Sequence, residues 1–200
     1  MSASARAVSI PVYVLIRPRA GDFVFTPDEF DLMHRQIDEA KAAGASGVAL
    51  GVLLADGRVD VKRTRALVEY AQPFETTFHR AFDETPDLSV ALEQVIETGA
   101  TGLLTSGGAA EVLLGADRIG RLQQQADGRI RMIAGGGLRL ASLVEVVRRS
   151  GAFSLHGSMT NSNASNGHEA DPSQLEANIR EAVKLLRSEY EQMTAQMQER

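Results

Sequence analysis

Two hundred residues, 44% hydrophobic and 24% charged, suit one soluble globular domain over 1–200 and exclude a disordered chain. The formal charge of −5, from 21 Lys plus Arg against 26 Asp plus Glu, comes with no Trp and no basic cluster longer than a pair, which argues against nucleic acid as a partner. The absence of Cys removes disulfides, thiolate nucleophiles and any Cys-based zinc or Cu(I) site.

The opening M-S-A-S-A-R-A-V-S-I-P-V-Y-V-L-I-R-P has an apolar run broken by Pro11 and ended by Arg17 and Arg19, where a signal peptide would offer small residues. It reads as a strand over 12–17, and the protein as cytoplasmic; no apolar run approaches the ~20 residues of a membrane span, so no membrane partner is expected. T-P-D-E at 26–29 supplies an N-cap, Pro at the first helical position and Glu at the third. Further strands are expected in G-V-A-L-G-V-L (47–53), F-E-T-T-F-H (74–79), G-L-L-T-S (102–106), I-R-M-I-A (130–134) and A-F-S-L-H (152–156), short and mostly apolar as in a covered parallel sheet. Gly44, Gly99 and Gly151 each follow a helix-like stretch and suit the left-handed position past a helix end. T-P-D at 85–87 is a weaker helix start. The polar loop N-S-N-A-S-N-G-H (161–168) precedes D-P-S-Q at 171–174, which opens a final helix from about Pro172. Its stripe of Ile179, Val183, Leu186, Tyr190, Met193 and Met197 is heptad-like; its first half is expected on the sheet, with the Gln-rich end fraying or the stripe forming a partner seam. Six strands alternating with helices give an α/β chain of (βα) units, a barrel or a doubly wound sheet.

Strand alternation sorts the side chains of a barrel between helix face and interior. Taking the apolar set as the helix face turns Tyr13, Leu15 and Arg17 inward, then Glu75, Thr77 and His79, then Ser154 and His156. Arg17, His79 and His156 thus end their strands at the C-terminal mouth, where βα loops build barrel active sites. Around that mouth stand T-S-G-G (Thr105, Ser106, Gly107, Gly108), A-G-G-G (with Gly135, Gly136 and Gly137) and H-G-S (with Ser158), whose backbone N–H groups can approach an anion. Arg17, Arg19 and Arg80 supply positive charge, so a small anionic or phosphorylated ligand fits. His79, His156 and Asp83 are the candidate catalytic groups, the histidines as general base or acid. Arg80 and Asp83 can also simply pair. A Ser106–His79–Asp83 set can be written, but no G-x-S-x-G, P-loop, dinucleotide fingerprint or H-E-x-x-H stands in the chain.

Y-V-L-I-R-P-R-A-G-D-F, G-V-A-L-G-V-L-L-A-D-G-R-V-D, T-F-H-R-A-F-D, L-L-T-S-G-G, I-A-G-G-G-L and L-H-G-S, in this order from Ile10 to Ser158, resemble the CutC family, named for copper homeostasis. The resemblance implies a TIM-type (β/α) barrel, a cytoplasmic location, a homo-oligomer (a dimer) and copper as the ion concerned; it implies no reaction. CutC-like chains begin with two further βα units carrying cysteines, whereas here the segment similar to their third strand starts almost at Met1, so an incomplete barrel of about six units is expected. For copper that leaves His156, Met159 and His168 as an N and S donor set. Three functions stay open: copper homeostasis with copper-ion binding, an enzyme acting on a small anionic metabolite, and a non-catalytic oligomerising form.

Overall fold

The computed structural model describes residues 8–159 and 172–198. Six strands, β1 (Tyr13–Leu15), β2 (Gly47–Leu50), β3 (Glu75–Phe78), β4 (Gly102–Thr105), β5 (Arg131–Gly135) and β6 (Ser154–His156), form one parallel sheet in the order β1-β2-β3-β4-β5-β6. Sequential order is that of a barrel wall; a doubly wound sheet reverses at a switch point. Tyr13 stands opposite Gly47, and Gly47 opposite Glu75, so corresponding residues share a level of the wall. Among the described residues β1 and β6 each pair on one side only, an incomplete α/β barrel.

The helices are α1 (Pro27–Ala42), α2 (Val61–Ala71), α3 (Leu88–Glu97), α4 (Val112–Ala126), α5 (Leu143–Ser150) and α6 (Pro172–Gln198). They cover one face of the sheet, burying Ile16, Val48, Leu50, Phe78, Leu103 and Met132 against Met33, Ile37, Leu67, Leu92, Ile119 and Val146. At about 25 cal/mol per Å² of apolar surface, this one-sided layer is the main stabilising term of the fold. Thr26 caps α1 in the expected reciprocal box: the Glu29 N–H donates to Thr26 Oγ1 at 3.3 Å, and the Thr26 N–H donates to Glu29 Oε2 at 2.8 Å. The weaker T-P-D start is corrected. Asp87, not Thr85, caps α3 by accepting from the Ser89 and Val90 N–H groups, because Thr85 turns its hydroxyl back onto the Phe82 carbonyl.

The long helix α6 packs only part of its expected stripe, Leu186 and Tyr190, against the domain. Asn178, Ala182 and Glu189 are buried, while Ile179 and Val183 stand 46% and 50% exposed. It is tied to the domain at Glu189 and Tyr190: Arg148 on α5 donates twice to Glu189, at 2.7 and 2.8 Å, and the Tyr190 hydroxyl donates to the Ala152 carbonyl at 3.0 Å. The side chain of Met197, like residues 161–168 and Asp171, lies outside what is described. No described helix is long and apolar enough to cross a membrane.

Candidate functional site

Strand alternation places the residues expected inward on the concave face of the sheet. Arg17, Thr77, His79, Ser154 and His156 all border a cavity of about 660 Å³ there, with Tyr13 and Leu15 below them. Leu15 is 59% exposed, whereas its neighbour Ile16 on the helix face is fully buried. Ala49, Leu104 and Ile133 complete an apolar wall on this face, and Phe23 reaches over it from the loop after β1. No carboxylate borders the cavity; Arg17, Arg80 and Arg131 do.

At the mouth, Arg17 lays its guanidinium 4.4 Å over the Phe23 ring and donates from Nη2 to the Gly21 carbonyl at 2.6 Å. Phe23 in turn packs on His79, with ring centroids 4.8 Å apart. His79 is 5% exposed and opens a short 3-10 turn over Arg80–Glu84. Its Nδ1 accepts the Ala81 backbone N–H at 3.2 Å. Burial, reinforced by the charge of Arg17, pushes its pKa down to about 4, so the ring is neutral at physiological pH. His156, at the end of β6, is exposed.

Asp83 is the anchor of the neighbouring loop. Its side chain, 6% exposed, accepts from Arg80 Nε at 2.8 Å, from the Thr105 hydroxyl, from the Ser106 N–H at 3.0 Å and from the Gly108 N–H at 3.0 Å. The T-S-G-G backbone is therefore folded around a carboxylate of the chain itself. Arg80 reaches on to Ser106 Oγ at 3.1 Å and passes Gly136, where a Cβ would meet its guanidinium at 3.0 Å. The bare backbone of A-G-G-G thus makes room for Arg80, and a Cβ on Gly135 would meet Leu104 and His156. Gly115 of α4 lies so close beneath Ser106 that a Cβ would stand 1.9 Å from its carbonyl oxygen.

The structure brings Arg17, His79, Arg80 and His156 to one cavity and sets Asp83, Thr105, Ser106, Gly107 and Gly108 behind Arg80 as its support. Arg19 is turned away, held by Glu29 at 2.6 Å and Asp22 at 2.8 Å. Gly137 faces Glu111, and Ser158 is exposed beyond β6; neither borders the cavity. Ser106, His79 and Asp83 make no relay, because Ser106 bonds Asp83 directly and His79 bonds the backbone. Sequence reasoning missed Phe23, which sits in a loop with no periodicity, and the apolar positions Ala49, Leu104 and Ile133. At the other end of the concave face, Tyr13 and Arg131 both donate to Glu75, holding its carboxyl below the usual range.

Among the described residues no three His, Cys, Asp or Glu side chains gather as a metal-holding group. Of the expected N and S donors, His156 and Met159 are described, while His168 lies outside the described residues.

A model of the CutC family matches residues 1–161. A CutC family protein of Caulobacter vibrioides is 46% identical over 158 residues, 79% of this chain and 64% of the relative. One from Agrobacterium fabrum is 48% identical over 139 residues, 70% of this chain and 55% of the relative. This chain thus spans under two thirds of the length of these curated relatives. A solved structure from Streptococcus agalactiae, described as a candidate copper homeostasis protein CutC, superposes with a TM-score of 0.74 at 27% identity, over 80% of this chain and 78% of that one.

Proposed function

The chain belongs to the CutC family, and on that premise we propose that its concave face binds a small anionic organic molecule at the mouth formed by Arg17, Arg80 and His79. Copper homeostasis is the role that the Streptococcus neighbour is described by; in this chain, as we read it, that role runs through a bound anion and not through a copper ion held in the concave face. The observation that carries the reading is the lining itself: three arginines, two histidines and no carboxylate around a wall that is otherwise mostly apolar. Arg131 is offset by Glu75, and the Nε of Arg80 by Asp83, so Arg17 and the rest of the Arg80 guanidinium carry the positive field of the mouth. A cytoplasmic location is part of the proposal and accords with a chain that has no cysteine.

A thermal-shift screen of the full chain against carboxylic acids, phosphate esters and inorganic phosphate is expected to find a stabilising anion. Arg17→Met, which removes a guanidinium tied to the protein by one hydrogen bond, is expected to weaken it roughly 10- to 100-fold, the worth of a hydrogen bond to a charged group. Equilibrium dialysis with Cu(I) under reducing conditions decides the rival reading: stoichiometric uptake lost in His156→Ala would favour a copper-ion site, and a screen without any hit would sink ours.

A homodimer through α6 has its own support. Ile179 and Val183 expose apolar side chains on one face of this helix, and a second copy would cover them. Light scattering is expected to give a dimer mass for the full chain and a monomer for Val183→Glu; equal masses would remove the seam.

A further inference from the structure

Two buried polar atoms of residues lining the concave face have no partner among the described residues: Nε of Arg17 and Nε2 of His79. Leaving such groups unpaired costs stability, so the retention of His79 Nε2 asks for an acceptor that the described residues do not supply. Three observations fix what that nitrogen can do. The Ala81 backbone N–H is always a donor, so Nδ1 must accept, and Nε2 of the neutral ring carries the hydrogen. The ring is wedged against Phe23 and Phe78, and a Cβ on Gly51 would lie 2.9 Å from its Cε1 and Nδ1, so it has no room to turn over. The wall around it is mostly hydrocarbon, from Leu15, Ala49, Leu104 and Ile133 with Thr77 and Ser154 between them, and Arg17 and Arg80 stand above at the mouth.

We propose that His79 Nε2–H donates a hydrogen bond to an acceptor oxygen of a small organic acid whose carbon skeleton lies on the apolar concave wall and whose charge is met by Arg17 and Arg80. This rests on the anion-site reading above and adds to it the ligand class and the role of the histidine. A nitrogen that holds its hydrogen has no lone pair for a metal ion and cannot take up a substrate proton; it polarises a carbonyl or holds a carboxylate in register. The same three features reject a bare inorganic anion as the preferred ligand, because such an ion leaves the hydrocarbon wall facing water.

Two measurements on the full chain test it. Nitrogen-15 NMR of histidine-labelled protein is expected to show His79 as the Nε2–H tautomer at pH 7 and still at pH 5.5, with its Nε2 signal moving on ligand addition. A Nδ1–H tautomer, or a cation at pH 5.5, would overturn the role of His79 while leaving the anion site standing. Calorimetric titration with straight-chain carboxylic and 2-oxo acids of two to six carbons is expected to show affinity rising with chain length. His79→Phe should weaken it at least tenfold, and His79→Gln, which restores a side-chain N–H, should recover part of the loss. Should the Phe variant fail to fold, the Gln variant and the chain-length series carry the test. Binding of inorganic phosphate alone, with no dependence on carbon chain, would overturn the organic-acid class; binding of no anion at all would sink the site reading itself.

Discussion

Asp83→Ala is expected to lower the unfolding free energy by about 3 kcal/mol, the largest single loss we assign to any residue around the concave face. The carboxylate is almost wholly buried and accepts from the Thr105 hydroxyl and from the Ser106 and Gly108 backbone N–H groups as well as from Arg80. Removing it strands several donors in a loop that Gly115 lets pack directly on α4. Arg80 is 42% exposed and can be rehydrated, so most of the cost comes from the backbone donors and not from an orphaned charge. Asp83→Asn should lose nearly as much, because an amide aims its own N–H at groups that also donate. Thr105→Val removes one donor to Asp83 and the acceptor of the Gly107 N–H, and is expected to cost about 2 kcal/mol. Urea unfolding of the three variants measures this order; a loss under about 1 kcal/mol for Asp83→Ala would mean that the T-S-G-G loop holds without its anchor.

The second large effect concerns acid. His79 has a folded pKa of about 4 against about 6.5 when unfolded, chiefly through burial and secondarily through Arg17. Between these values the unfolded chain binds the proton and the folded one does not, so stability rises with pH across the window. The contribution is complete above about pH 6.5 and is lost as pH falls through 4. A shift of this size corresponds to about 3 kcal/mol. Carboxylates held low by ion pairs, such as Glu93 at about 2 and Asp117, add their losses further down the scale. His79→Phe fills the space between Phe23 and Phe78 and cannot titrate. The difference in unfolding free energy between it and the parent, followed from pH 7 to pH 4.5, isolates the histidine. A constant difference across that range would show that His79 takes up its proton at the same pH in the folded and the unfolded chain.

Much of this site could be read along single strands. Alternation turned Arg17, His79 and His156 to one side, and all three border the cavity, because a strand's phase is a local property that survives folding. The capping box at Thr26 was equally local. What alternation could not supply was the destination of long side chains leaving loops. Arg19 lies two residues past Arg17 yet ends in ion pairs with Asp22 and Glu29, and Asp83 reaches under β4 instead of standing on the rim. Phe23 reaches His79 through a turn whose course depends on tertiary packing. On α6 the spacing of Ile179 and Val183 matched a buried stripe, but the buried face is set by Asn178, Ala182 and Glu189, whose partners lie elsewhere in the chain. The copper reading divides in the same way: the family was legible in ordered motifs, whereas a donor set is a three-dimensional property, and His168 of the expected set lies outside the described residues.

Tyr13, Glu75 and Arg131 come from the first, third and fifth strands and bind one another at the end of the sheet away from His79. Alternate strands contributing one level is how a barrel interior is layered, so these three side chains form one such layer across the lower end of the concave face. From Tyr13 to Arg17 the wall rises four residues, about 13 Å at the strand repeat. That depth is a length gauge. An acid gripped at the rim has room for a short carbon chain beneath it, and a longer one must bend or project from the open side.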